Sequence, residues 1–171
     1  MNSKLPAVDP LIDTLCQRLQ EQLKRRGAKK PQIVGVHTGG FWVAERLAEM
    51  LGIGGPIGAI DIGFHRDDFD ERGLRRPTGP TQIEGIVEAR TVVLVDDVLH
   101  TGRTVRAAIN AIFEYGRPTD ILLAALVSRG GRQLPIQADA VGVELDLPAG
   151  QRLKLTGPDS LVLTLRGEPH A

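Results

Sequence analysis

The sequence predicts an α/β fold built on a mainly parallel sheet with helices on both faces. Three observations carry that prediction. Short apolar runs alternate with stretches of helical periodicity in the first two thirds of the chain, and runs alone follow. The run Thr91-Val92-Val93-Leu94-Val95 is almost wholly apolar, as suits a central parallel strand covered on both faces. Finally, 171 residues with 42% hydrophobic and 25% charged side chains fit one ordinary globular domain spanning 1–171. A chain of this length can bury about 70% of the surface its unfolded form exposes, so it needs no metal or disulfide staples.

The elements follow in order. Ile12, Leu15, Cys16, Leu19 and Leu23 recur at helical spacing after Asp9-Pro10, a cap residue followed by proline at the first helical position. Gly27 closes this helix behind Lys24-Arg25-Arg26, the charge a helix C-terminus favours. Cys16 lies on the apolar stripe and is read as core, not as a reactive thiol. Residues 32–37 form a short buried strand. Thr38-Gly39-Gly40 turns it into a second helix, with Phe41, Ala44, Leu47, Ala48 and Leu51 on one face. Trp42 beside Phe41 is assigned to helix packing or a subunit contact, not to a stacking platform for a ligand. Residues 57–64 alternate as a strand, with Ile60, Ile62 and Phe64 on one side. From 65 to 82 charge, glycine and proline replace any pattern, which marks a functional or disordered loop. The strand over 91–95 leads through a polar turn to a helix over 104–115, ended by Gly116-Arg117-Pro118. Strands over 121–127, 140–145, 153–156 and 161–165 complete the chain.

Charge and composition exclude several classes. Twenty-one basic residues balance twenty-one acidic ones, so no general positive coat for nucleic acid exists, although a local patch can. Apolar stretches fall well short of the roughly 18 residues of a membrane span. The N-terminus lacks the apolar core of a signal peptide, and the single cysteine suits a reducing compartment, so a cytoplasmic location is expected. Four scattered histidines give no zinc spacing.

The chemistry concentrates in Val93-Leu94-Val95-Asp96-Asp97-Val98-Leu99-His100-Thr101-Gly102-Arg103-Thr104. Two carboxylates follow a buried strand at its carboxyl end. Five residues rich in hydroxyls, with a glycine among them, then lead into a helix. Successive N–H groups at such a turn, with the helix dipole behind them, make an anion nest. Thr101 and Thr104 add hydroxyl donors, and Gly102 allows close approach. The carboxylates suit ribose hydroxyls or Mg²⁺. The segment therefore reads as a holder for a ribose 5-phosphate. The bland alternative is a structural turn whose acidic pair faces water. No G-x-x-x-x-G-K-[ST] or G-x-G-x-x-G occurs, so nucleotide-loop and dinucleotide readings lack their glycines. His37-Thr38-Gly39 echoes His100-Thr101-Gly102 in an equivalent strand-to-helix turn, where ligands of open α/β sheets bind.

Residues 93–104 resemble the phosphoribosyl-diphosphate (PRPP) signature of type I phosphoribosyltransferases. The stretch from Asp96 to Ala107 is similar to the pyrimidine-operon regulators that are also uracil phosphoribosyltransferases. So are Ile60-Asp61, Arg66-Asp67-Asp68, Gly116-Arg117-Pro118, Arg129-Gly130, Leu134-Pro135-Ile136 and Ala138-Asp139. The resemblance runs from about residue 10 to 165. It implies that Asp96 and Asp97 hold the ribose hydroxyls of PRPP, while Val98 and Leu99 lead into a 5-phosphate loop of His100, Thr101, Gly102, Arg103 and Thr104. It implies a diphosphate loop at Thr38, Gly39 and Gly40, and a flexible hood over 65–82 whose Arg66 reaches the diphosphate. Backbone groups at Arg129 and Gly130 would read the base. Mg²⁺ would act mainly through PRPP, near Asp96 and Asp97.

By the same resemblance, uracil and PRPP would give UMP and diphosphate. The protein would also bind a pyrimidine-operon mRNA leader with nucleotide present, as a homodimer or higher homo-oligomer. Arg25, Arg26, Lys29 and Lys30 are the candidate RNA contacts; ordinary solvated charge at a helix end is the alternative. The chain departs from the family at Gly39, where an arginine is common, at Ser128, where aspartate is common, and at Gln133, where glutamate is common. A transferase for another base, or a nucleotide sensor without catalysis, stays open beside uracil transfer.

Overall fold

The computed structural model describes residues 5–63, 81–83 and 85–167. Arg66 and nearly all of the expected hood lie outside these residues; of the hood only Thr81 and Gln82 lie inside. The elements run α1 (Val8–Arg26), β1 (Gln32–Val36), α2 (Gly39–Leu51), β2 (Gly58–Ile60), β3 (Thr91–Leu99), α3 (Arg103–Tyr115), β4 (Asp120–Arg129), β5 (Ala140–Leu145), β6 (Arg152–Thr156) and β7 (Val162–Arg166).

Five strands form one sheet in the order β2-β1-β3-β4-β5, and every pairing in it is parallel. Alternation along the two central strands divides the core. Val93 and Val95 of β3 join Leu122, Ala124 and Leu126 of β4 beneath α1 and α2. Val92 and Leu94 join Leu123 and Ala125 beneath Val105, Ala108 and Ile112 of α3. Helices thus cover both faces, which is why the central strands have no polar side until their carboxyl ends. The β6–β7 pair is an antiparallel hairpin of its own, and Leu155 and Leu163 seat it in the α1–α2 core. Trp42 also packs against that core, as the sequence predicts.

Several boundaries differ from the sequence reading. α1 begins at Val8, so Asp9 and Pro10 lie within its first turn and Ala7 caps it without a side-chain bond. Burial of Val8 draws the helix back by two residues. Its C-terminus is as expected: Gly27 sits at φ 62° and donates to Leu23 and Lys24. Burial pushes the Cys16 thiol up from its ordinary value, with the Asp13 carboxylate adding to the effect, so the residue is an inert part of the core.

Of the strand expected over 57–64, Gly58–Ile60 is strand among the described residues, and Phe64 lies outside them. At Asp61 the chain leaves the ladder, because its carboxylate accepts the Gly63 N–H at 2.9 Å and its N–H donates to Thr81 Oγ1 at 3.3 Å. Gln82 then returns beside β2, exchanging hydrogen bonds with Ala59 of 2.8 and 3.1 Å. β3 continues through Leu99, not to Val95, and β4 runs to Arg129.

Candidate functional site

The strand order places the site. From β1 the chain moves outward through α2 to β2, and from β3 it moves the other way through α3 to β4. The carboxyl ends of β1 and β3 are adjacent strands whose following loops diverge, and the crevice between them is the switch point of the sheet. Thr38-Gly39-Gly40 leaves β1 there, and Asp96 to Thr104 ends β3 there.

The extension of β3 corrects the expectation that the acidic pair follows the strand. Asp96 and Asp97 belong to the strand and are 2% and 6% exposed. The alternative in which they merely face water is thereby excluded. Asp96 Oδ1 accepts the Asp97 N–H at 3.0 Å.

Two glycines let the β1–α2 loop close onto this pair. A Cβ on Gly39 would stand 2.6 Å from the Asp97 Cγ, and one on Gly40 would stand 2.6 Å from the Val95 carbonyl oxygen. The first turn of α2 therefore lies with its backbone directly over the acidic strand end. The preceding His37–Thr38 peptide bond is cis. His37 stacks on Phe41 with ring centroids 5.1 Å apart, which assigns it to the frame of the loop.

On the other side of the crevice, Gly102 at φ 93° caps α3, a conformation that favours glycine. Thr101 is buried and its Oγ1 accepts the Arg103 N–H at 3.2 Å. No acidic residue occupies the first turn of α3. Residues 100–104 thus present N–H groups and a helix N-terminus, a geometry suited to one phosphate.

The contacts that sequence reasoning missed come from the loop after β4. Gln133 and Leu134 donate their N–H groups to the Thr101 carbonyl at 3.0 and 3.2 Å. Arg132 donates to the His100 carbonyl and, at 3.1 Å, to Ser128 Oγ. Arg103 Nε donates to Gln133 Oε1 at 2.9 Å. The loop after β4 is therefore a strap tied across the loop after β3, the candidate phosphate loop. Only the positions of Arg132, Gln133 and Leu134 near a strand end hinted at it, since pairing across some thirty residues leaves no local signature. Arg129 is used differently from a side-chain reader of ligand: its guanidinium donates to the Gln151 carbonyl at 2.7 Å and holds the start of β6. Gly130 follows at the mouth of β4.

The basic run at the end of α1 divides. Arg26 bridges Asp120 at 3.0 Å and Asp139 at 3.2 Å, tying α1 to β4 and to the start of β5. Arg25, Lys29 and Lys30 are exposed. Among the described residues no cluster of three or more histidine, cysteine or acidic side chains could hold a metal. Two carboxylates alone fit Mg²⁺ only where a substrate supplies most of its oxygen ligands. No helix among the described residues is long and apolar enough to cross a membrane.

Two glycine-containing loops and an acidic strand end meet at the switch point of a parallel α/β sheet, the architecture of the type I phosphoribosyltransferases. The sequence model of the phosphoribosyl transferase domain matches residues 8–150, and the chain belongs to that family. It is 48% identical over 161 residues to the bifunctional protein PyrR of Nitrosococcus oceani, covering 93% of this chain and 91% of the relative. It is 43% identical to the bifunctional protein PyrR of Pseudomonas fluorescens, covering 95% and 96%. Among solved structures, a purine phosphoribosyltransferase from Pyrococcus horikoshii superposes with a TM-score of 0.59 at 29% identity, covering 80% of this chain and 83% of that one. A Bacillus anthracis hypoxanthine-guanine phosphoribosyltransferase matches at 0.66, with 16% identity and 85% of each chain covered, a likeness of fold.

Proposed function

We propose that this chain is a uracil phosphoribosyltransferase that also regulates a pyrimidine operon by nucleotide-dependent binding of its mRNA leader. The observation that carries the reading is the closure of the Gly39-Gly40 loop over Asp96-Asp97 beside the phosphate loop, in a chain so similar to bifunctional PyrR proteins. Asp96 and Asp97 accept hydrogen bonds from the ribose hydroxyls, and N–H groups of His100 to Thr104 hold the 5-phosphate. The bond from ribose C1 to the diphosphate oxygen breaks as uracil N1 bonds to C1, and the uracil proton leaves to solvent or to the diphosphate. Positive charge grows on the ribose, beside the acidic pair, while negative charge grows at the Thr38-Gly39-Gly40 loop. Asp96 and Asp97 would lie near a Mg²⁺ brought in with PRPP, which would supply charge neutralisation for the leaving group. Arg66 adds a cation there, and backbone groups at Arg129 and Gly130 meet the base. The protein works in the cytoplasm as one domain and as a homodimer or larger homo-oligomer.

Purified protein with uracil, PRPP and Mg²⁺ is expected to form UMP and diphosphate, and a panel of other bases separates uracil transfer from its alternatives. Absence of UMP above background would remove the enzymatic half. The regulatory half is tested on Arg25, Lys29 and Lys30. Changing these three to glutamine, with Arg26 kept for its bridges, should weaken leader RNA binding and flatten its salt dependence. For every phosphate no longer neutralised, the logarithmic salt slope should fall by about 0.7–0.9. UMP synthesis should be unchanged. Leader RNA bound no better than an unrelated hairpin, with UMP present, would leave the enzyme alone.

A further inference from the structure

We infer that Gln133 is a positioning residue for the phosphate loop, holding the Arg103 guanidinium beside the 5-phosphate without neutralising it; this rests on the phosphoribosyl reading of that loop. Arg103 is the first residue of α3, directly after the left-handed Gly102. A cation there opposes the dipole of its own helix, so the position does nothing for the helix itself. It adds positive potential at a nest that has no acidic neighbour within the first turn of α3. The side chain is exposed and long, and its direction is set by one acceptor, Gln133 Oε1, at 2.9 Å from Nε. Gln133 is itself fixed by its own N–H, which donates to the Thr101 carbonyl at 3.0 Å. Thr101 Oγ1 in turn accepts the Arg103 N–H at 3.2 Å. The three residues form a closed ring of hydrogen bonds around the phosphate loop, anchored to the strap.

The chemistry of the acceptor matters. A glutamine oxygen accepts from Nε as a glutamate oxygen would, but brings no charge. Arg103 therefore keeps its full positive charge for the ligand. A carboxylate at 133 would make the same hydrogen bond better, as a charge-assisted one, and would cancel the field that the phosphate feels. Geometry and charge are thus separable at this residue.

Titration calorimetry with ribose 5-phosphate as probe, at low and at physiological salt, makes the separation. Gln133→Glu keeps the hydrogen bond and cancels the field; Gln133→Met removes the hydrogen bond and keeps the field. Gln133→Glu is expected to raise the Kd about three- to tenfold and to flatten its salt dependence, from a unit charge acting on a dianion across several ångströms of partly aqueous medium. Gln133→Met should raise the Kd about two- to threefold, the net worth of one hydrogen bond, with the salt dependence kept. Thermal melts of the two variants should match the wild type, because residue 133 is exposed. A Gln133→Met protein that binds like the wild type, or a Gln133→Glu protein that binds like the wild type or better than Gln133→Met, would overturn the inference. UMP synthesis by the wild type is read in parallel. Normal synthesis with equal Kd values overturns the inference alone. Binding with the expected order but no transfer to any base overturns the catalytic reading alone.

Discussion

Asp97→Asn is expected to lower the rate of UMP formation by about two to three orders of magnitude while leaving the protein folded. The expectation rests on burial. Asp97 is 6% exposed, at the end of a central strand, and its carboxylate faces the backbone at Gly39. Asparagine has the same shape, so neither the strand nor the α2 loop need move. It replaces one acceptor oxygen with an amide donor, which turns against a ribose hydroxyl that must donate, and it removes a negative charge beside the developing ribose cation. The thermal midpoint should stay close to that of the wild type, since the two side chains have the same shape. Steady-state kinetics with circular dichroism would check both parts. Activity within tenfold of the wild type would remove Asp97 from the site.

Gly40→Ala is expected to cost about 2–3 kcal/mol of stability, a large fraction of what a domain of this size has. The methyl group would stand 2.6 Å from the Val95 carbonyl oxygen and 3.0 Å from the Asp96 Cα, both backbone atoms of the central strand. Neither can swing aside as a side-chain tip can. Relief requires α2 to rise off the sheet, which would also withdraw the loop after β1 from the acidic pair. The same change at Gly54, where nothing lies within 4 Å of the added methyl, should be close to neutral. Chemical denaturation of the two variants side by side would decide it; equal midpoints would show that the loop tolerates the displacement.

The fold was legible where one physical rule dominates. The apolar runs in β3 and β4 announce strands covered on both sides, and Gly27 behind three cations announces a helix end. The candidate phosphate loop was legible because its chemistry is local: an anion nest needs consecutive N–H groups, hydroxyls and a glycine, and these stand together at 100–104. What was not legible depends on distance or on competition. The burial of Asp96 and Asp97 follows from β3 continuing four residues past its last apolar run, and polar residues at a strand end give no signal of that. The early stop of β2 comes from the Asp61 carboxylate capturing the Gly63 N–H, which alternation of apolar residues cannot reveal. The role of Gly39 and Gly40 is clear only once β1 lies beside β3. The ties from Arg132, Gln133 and Leu134 to residues 100 and 101 join segments that the sequence separates by a whole helix and strand.

The pairing of β1 with β3, and of the strap with the loop after β3, also bears on how the protein comes off the ribosome. β1 emerges early, yet its inner neighbour is β3, and β2 is made in between and must wait at the outer edge. The glycine loop has no acidic strand end to close upon until residues 96 and 97 have left the exit tunnel. The phosphate loop has no strap until 132–134 have followed. Chain that is already synthesised must therefore hold apolar strands unpaired while the rest arrives, and non-local parallel pairings of this kind form slowly. Translation that pauses between β2 and β3 would lengthen the period in which β1 and α1 offer bare apolar surface, so this interval is where nascent chains should depend most on a chaperone.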